Sequence, residues 1–287
     1  MNVIDCKAIS KHWRRLLKEE IENLGFTPGL AVILVGDDPA SMTYVNNKKK
    51  ACSEVGIHSE ILYMSGDSTT DDVVNAVKRF AVRSDINGVM VQLPLPKHIN
   101  ADTVVSAIPP EKDVDALTPE SIGRVMFGET VFKPCTPRGI VSILQCMNIP
   151  LAGSHCVIVG RSNIVGKPLA AMLTNEDATV TLCHSKTNHL SEITKQADIL
   201  ISAVGKPNFI TADMVSDGAI VIDVGINRTD DGKLVGDVCF DEVREVAGAI
   251  TPVPGGVGVM TVTSLLINTY NAAQIEAERR KKGENIL

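Results

Sequence analysis

Val157-Ile158-Val159-Gly160-Arg161-Ser162-Asn163-Ile164-Val165-Gly166-Lys167-Pro168 is the stretch on which the fold of the second half turns. An apolar run ends in a glycine, a polar turn follows, and Leu169, Ala170, Ala171, Met172 and Leu173 continue the pattern of a helix. The spacing predicts a strand that feeds a helix through a glycine-containing turn. N–H groups at a helix start, with the helix dipole behind them, form a site for a phosphate. The loop reads Gly-x-Ser-x-x-x-Gly rather than the dinucleotide fingerprint Gly-x-Gly-x-x-Gly, so by itself it fits an ordinary strand-to-helix connection equally well.

Working outward, the alternation continues on both sides. After His155 the pattern gives strand, helix, strand Ala178 to Cys183, a short helix, strand Asp198 to Val204 and strand Ala219 to Val224. Upstream, Ile9, Trp13, Leu16, Leu17, Ile21 and Leu24 recur at helical spacing until Gly25. Leu30 to Val35 is an apolar strand, and Asp38-Pro39 reads as an N-cap followed by proline at the first helical position. That helix ends at Gly56, and a strand near Ile57 to Tyr63, a helix near Val73 to Val82 and a strand Gly88 to Leu93 follow. Alternating strands and helices predict an α/β fold with mainly parallel sheets and helices on their faces. Prolines 94, 96, 109, 110, 119, 134 and 137 then punctuate a loop-rich region with two short helical pieces. A helix from about Gly139 to Met147 marks the domain boundary, and a long helix to about Lys281 closes the chain.

At 287 residues two domains are expected. A formal charge of −6 leaves no basic surplus to neutralise phosphates, which argues against nucleic acid as a partner. The seven cysteines lie scattered without a Cys-x-x-Cys pair, so neither a metal site nor a disulfide framework is expected, and a reducing compartment is. No apolar run reaches membrane-spanning length, and the start of the chain reads as an amphipathic helix. The expected location is the cytoplasm.

Ligands of doubly wound sheets bind beyond the carboxyl ends of the strands. Tyr44 and Lys48 are four residues apart and share a helix face, whereas Lys49 and Lys50 each rotate away by roughly 100°. A solvated lysine run accounts for the same residues. Gln92 closes a buried strand and needs partners, from a loop or from a ligand. Asp113 and Asp115 lie in a rigid acidic loop where aspartates also serve as turn caps. In the second half, an NAD site usually carries an acid about 20 residues past the glycine turn. Here that position reads Cys183-His184-Ser185-Lys186-Thr187, whose hydroxyls and cation, with Arg161, suit the 2′-phosphate of NADP. A polar loop after a strand remains an open reading.

Eight segments together carry a resemblance. They are Ser41 to Lys48, Val91-Gln92-Leu93-Pro94-Leu95-Pro96, Pro110 to Asp115, Pro134-Cys135-Thr136-Pro137, Gly160-Arg161-Ser162, Cys183 to Thr187, Asp223 to Asn227, and Thr251 to Gly258. In this order they resemble the bifunctional methylenetetrahydrofolate dehydrogenase/methenyltetrahydrofolate cyclohydrolase family, nearly end to end. The resemblance implies a homodimer of one-carbon metabolism that feeds purine biosynthesis. It implies a folate-binding catalytic domain over 1–138, a Rossmann-like NADP domain over 139–267, and a last helix over 268–287 that packs back on the first. Tyr44 would stack on the pterin, Lys48 would be the catalytic lysine, Gln92 would support it, and Asp115 would hold the pterin's polar edge. Leu93, Pro254, Gly255 and Gly256 would complete the substrate site, while Gly160, Arg161, Ser162, Ser185 and Ile226 would contact NADP. No metal is implied. Two positions depart from the family: Val259 stands where proline is usual, and Ala116 where glycine commonly follows Asp-Val-Asp.

The chemistry fits these groups. Two nitrogens flanking one carbon stabilise the cation left when hydride departs, so the protein has only to align that carbon with the nicotinamide. Hydrolysis then needs a proton shuttle. A lysine of ordinary pKa near ~10.4 is a poor base at neutral pH, but burial beside a cationic substrate lowers it. A two-domain NADP dehydrogenase of the shikimate or amino-acid type shares the architecture, yet gives no reason for Tyr44 and Lys48 together with the Gln92 loop. A non-catalytic nucleotide-binding regulator would bind NADP without turnover.

Overall fold

The structure, a computed structural model, describes residues 2–128, 130–229 and 232–282. The chain divides into two compact units. One comprises His12–Arg124, Glu129–Lys133 and Val262–Leu287, the other Met1–Lys11, Val125–Gly128 and Pro134–Thr261.

The first unit is built on a three-stranded parallel sheet of β1 (Gly29–Val35), β2 (His58–Met64) and β3 (Gly88–Val91), in the order β2-β1-β3. Every residue of β1 is buried, as expected of a central strand covered on both faces. Helix α1 (Cys6–Glu22) enters this unit, and α2 (Pro39–Val55) and α3 (Thr70–Ala81) connect the strands. Both connecting helices start on local signals. Asp38 accepts a hydrogen bond from Ser41 N with Pro39 just inside α2, and Thr69 and Asp72 form a reciprocal capping box on α3. Gly56 ends α2 at φ 87°, a left-handed conformation that suits glycine. Ala31, Ile33 and Val35 pack with Val73, Val77 and Phe80 of α3 in the core. The proline-rich region holds α4 (Ala101–Ser106), a single 3₁₀ turn at Pro110–Lys112 and α5 (Pro119–Met126).

The second unit carries α6 (Cys135–Cys146), β4 (His155–Val159), α7 (Gly166–Thr174), β5 (Thr179–Cys183), α8 (Leu190–Thr194), β6 (Ile199–Ser202), β7 (Ile220–Asp223), a small hairpin of β8 (Asn227–Arg228) and β9 (Leu234–Val235), α9 (Phe240–Val243) and β10 (Ala249–Ile250). Its five-stranded sheet is parallel throughout, in the order β10-β7-β6-β4-β5. Counted from β4 this is 2-1-3-4-5, a doubly wound order whose switch point lies between β4 and β6. The fold is therefore α/β in two parts, as the alternation predicts.

Three details differ from the sequence reading. Helix α6 begins at Cys135, not near Gly139, because Pro134 takes the N-cap and Pro137 sits in the first turn, where a missing N–H costs nothing. The hairpin, α9 and β10 are too short to leave a periodic trace. The last helix, α10, spans Val257–Lys282, and the remainder of the expected 268–287 helix lies outside the described residues. Within the first unit, Asn268 of α10 donates to the carbonyls of Val114 and Lys133, and Asn87 donates to Glu276. No described helix is long and apolar enough to cross a membrane.

Candidate active site

Helix α2 presents Tyr44 and Lys48 on one face. Lys48 is half-buried while Lys49 and Lys50 are exposed, which is the distinction helical phase requires. The Lys48 amine donates to Gln92 Oε1 at 2.9 Å and lies 3.6 Å from Met90 Sδ. Gln92 follows β3, its N–H pairs with Ile33 O, and its own Nε2 donates to Leu93 O. With the amide nitrogen committed to the main chain, Oε1 is the end turned to the lysine. One turn further on, the Cys52 thiol is fully buried and pushed up to about 12 by that burial, against the opposing charge of Lys48. Cys52 is thereby an inert core thiol.

The two aspartates of the acidic loop separate cleanly. Asp113 is fully buried and accepts from Leu117 N at 3.2 Å and Thr118 N at 2.9 Å, so it builds the turn. Asp115 is partly exposed. A parallel bridge between Val89 and Asp113 directs the chain toward the carboxyl end of β3, the end that bears Gln92. Ala116, buried, holds φ 56°.

In the second unit both loop glycines are demanded by close approach. A Cβ on Gly160 (φ 132°) would lie 2.2 Å from Ala203 O, and one on Gly166 would lie 1.9 Å from Gly160 O. The loop thus forms a tight cradle at the switch point whose rim, Arg161 and Ser162, is exposed. Ser162 Oγ accepts from Val165 N, and Gly160 N donates to Cys183 O at the end of β5. There, Thr187 Oγ1 accepts from His184 N and a turn exposes Ser185 and Lys186. Backbone pinched by glycine, a helix start, and exposed hydroxyls and cations fit the phosphates of a dinucleotide with a 2′-phosphate.

At the end of β7, Asp223 is buried and accepts from the N–H groups of Gly225, Asp237 and Val238 at 2.9, 2.9 and 3.0 Å. Burial pushes its carboxyl up to about 6; the bonds from Val238 and Asp237 work against that, and the Asp237 charge adds to it. Ile226 stands 43% exposed in the turn that follows. In the turn before α10, Pro254 is exposed and Gly255 holds φ 95° against the stem of Lys7. Val259 N donates to Gly256 O inside the first turn of α10, a bond that proline could not make.

Two family models cover most of the chain. Residues 4–115 match the catalytic domain of tetrahydrofolate dehydrogenase/cyclohydrolase, and residues 134–277 match its NAD(P)-binding domain. The chain belongs to this family. A relative in Halalkalibacterium halodurans, the bifunctional protein FolD, is 54% identical over 95% of this chain and 98% of its own length. Among solved structures, the bifunctional methylenetetrahydrofolate dehydrogenase/cyclohydrolase of Campylobacter jejuni has a TM-score of 0.93 at 46% identity, covering 96% of this chain and 99% of that one. The Trypanosoma brucei enzyme, solved with NADP and an inhibitor, has a TM-score of 0.91 at 37% identity, covering 96% and 98%. Membership decides against the shikimate-type reading.

Of the residues that the family resemblance singles out, the structure joins Lys48 and Gln92 directly. It sets Gly160, Arg161 and Ser162 beside the strand end leading to Ser185. Sequence reading missed Asp237, which is fully buried, and assigned no role to Asp223. It also missed that Lys112 is a buried fastener, with Nζ on the carbonyls of Arg83 and Ile86, both at 2.7 Å.

Proposed function

We propose that this protein oxidises 5,10-methylenetetrahydrofolate to 5,10-methenyltetrahydrofolate with NADP, and hydrolyses that product to 10-formyltetrahydrofolate for purine synthesis. The observation that carries the reading is the half-buried Lys48 amine, bonded to Gln92 Oε1 at 2.9 Å with Tyr44 one turn away on the same face. When bound, NADP supplies the hydride acceptor. The chain's own residues bind, align and move a proton. Tyr44 offers its ring to the pterin, Asp115 accepts from the pterin's polar edge, and Leu93 with Pro254, Gly255 and Gly256 bounds the substrate. For hydrolysis, Lys48 relays a proton between water and the opening ring while Gln92 keeps the amine in place.

Gly160, Arg161, Ser162, Ser185 and Ile226 contact the cofactor, and Ser185, Lys186 and Arg161 favour NADP over NAD. Folate chemistry belongs to residues 1–138 with the helix from 268 onward, and cofactor binding to 139–267. The working form is a cytoplasmic homodimer without nucleic-acid partners. The test is a coupled assay on purified protein with NADP and NAD in parallel. The expected result is methenylfolate absorbance that rises with reduced cofactor, faster with NADP, and then decays by hydrolysis. No absorbance change with either cofactor removes the reading.

A further inference from the structure

One heavily bonded side chain of the second unit, Asp237, has no part in the proposed reaction. Asp237, fully buried after β9, accepts from Val204 N at 2.7 Å, Gly205 N at 3.2 Å and Lys206 N at 3.0 Å. It also accepts from Ser202 Oγ at 3.4 Å and Asn227 Nδ2 at 2.9 Å. Three successive N–H groups converging on one anion form a nest of the kind that elsewhere holds phosphate. Here the protein fills the nest with its own carboxylate, so the turn after β6 is set in advance and the phosphates are left to the Gly160 loop.

Position gives this hub its meaning. The turn it holds starts at Ala203, whose carbonyl touches Gly160 so closely that no side chain fits between them. Through Asn227, the same carboxylate ties down the turn bearing Ile226. If the 2′-phosphate lies by Ser185 after β5 and the phosphates lie by Gly160 after β4, the rest of the dinucleotide extends the other way. It passes over the ends of β6 and β7, which are the two turns that Asp237 locks. One buried carboxylate bonded to both turns fixes each relative to the other.

We propose that Asp237 is a positioning residue for the nicotinamide half of the cofactor, holding the turn at 203–206 and the turn at Ile226 in one fixed relation. This rests on the dehydrogenase reading above. The test is Asp237→Asn, which keeps the shape but aims an NH₂ group at donors, with Asn227→Ala as a milder variant that cuts one tie. For Asp237→Asn we expect NADP Kd to rise at least tenfold, dehydrogenase kcat to fall at least tenfold, and the deuterium isotope effect on hydride transfer to increase. Hydrolysis of methenylfolate supplied directly, which needs no cofactor, stays within twofold. Asn227→Ala shifts Kd in the same direction by about threefold. A merely structural role would lower both activities together, and that result overturns the proposal. So does unchanged NADP binding and isotope effect in Asn227→Ala, which decides the matter should Asp237→Asn fail to fold. Wild-type protein that binds NADP but never oxidises the folate would sink the dehydrogenase reading, while the Kd comparison would still judge Asp237.

Discussion

Lys48 and Lys112 lie at opposite ends of the same three-stranded sheet, and their amines are held by different kinds of partner. At the amino end of β3, Lys112 Nζ is fixed by two main-chain carbonyls at 2.7 Å, and burial lowers its pKa. Near the carboxyl end, Lys48 Nζ rests on the side chains of Gln92 and Met90. Main-chain acceptors cannot let go without moving the fold, whereas a side-chain amide and a thioether can yield as a substrate arrives. Under the proposed function the difference separates a fastener from a tool: Lys112 is buried and Lys48 only half-buried.

The largest expected effect tests the tool. Lys48→Met should lower cyclohydrolase turnover by about 10²–10⁴-fold, the usual loss on removing a general acid–base group, with an unchanged thermal midpoint. Decay of methenylfolate absorbance measures it, and hydrolysis at the wild-type rate would take Lys48 out of the mechanism.

The contrast extends to acids. Asp223 is a fastener, held by three main-chain N–H groups, with its carboxyl pushed up to about 6 by burial. Its unfolded value is near ~3.9, so between the two the folded chain holds a proton that the unfolded chain has lost. Stability therefore falls as pH rises through this window and stays lower above it, by roughly 3 kcal/mol. Urea midpoints of wild type and Asp223→Asn should converge or cross between pH 4 and 7, since only the wild type carries the penalty. A gap that is flat with pH would show that the bonds offset the burial.

Next comes the lysine fastener. Lys112→Met keeps the volume but strips two buried carbonyls of their donor, a loss of roughly 2–3 kcal/mol. Activity per folded molecule should be unaffected. A variant as stable as wild type but catalytically impaired would reverse the roles assigned to the two lysines.

What could be read in advance follows the same divide between local and distant causes. The caps at Asp38 and Gly56 and the choice of Lys48 among three lysines follow from helix geometry over a few residues. That Gln92 meets Lys48 across 44 residues does not follow, because no period links an α2 face to a strand end. Asp237 left only an indirect trace in its neighbours. Gly225 would set a Cβ 2.1 Å from Asp237 Oδ1, and Gly236 one 1.8 Å from Asp223 Oδ2, so each acid forces a glycine near the other. Paired Asp and Gly in Asp223-Val224-Gly225 and Gly236-Asp237 are the signal that could have found the hub. The start of α6 was obscured by reading Pro134 and Pro137 as loop punctuation, when both positions tolerate proline inside a helix start.

The smallest expected effect concerns Ala116, which stands where the family resemblance expects glycine and adopts φ 56°. A left-handed alanine costs about 1–2 kcal/mol. Against this, alanine restricts the unfolded chain by about 0.4–1 kcal/mol relative to glycine. It also buries a methyl group worth about 0.8 kcal/mol, and Ala116 is fully buried. These terms nearly cancel, which explains how alanine persists at a glycine position beside Asp115. Ala116→Gly should therefore change stability by less than about 1 kcal/mol in either direction, read from the thermal midpoint. A gain above about 2 kcal/mol would mean the methyl contributes nothing and the strain is carried whole. The loop would then be a sprung element beside Asp115 rather than another main-chain fastener like the one Lys112 makes.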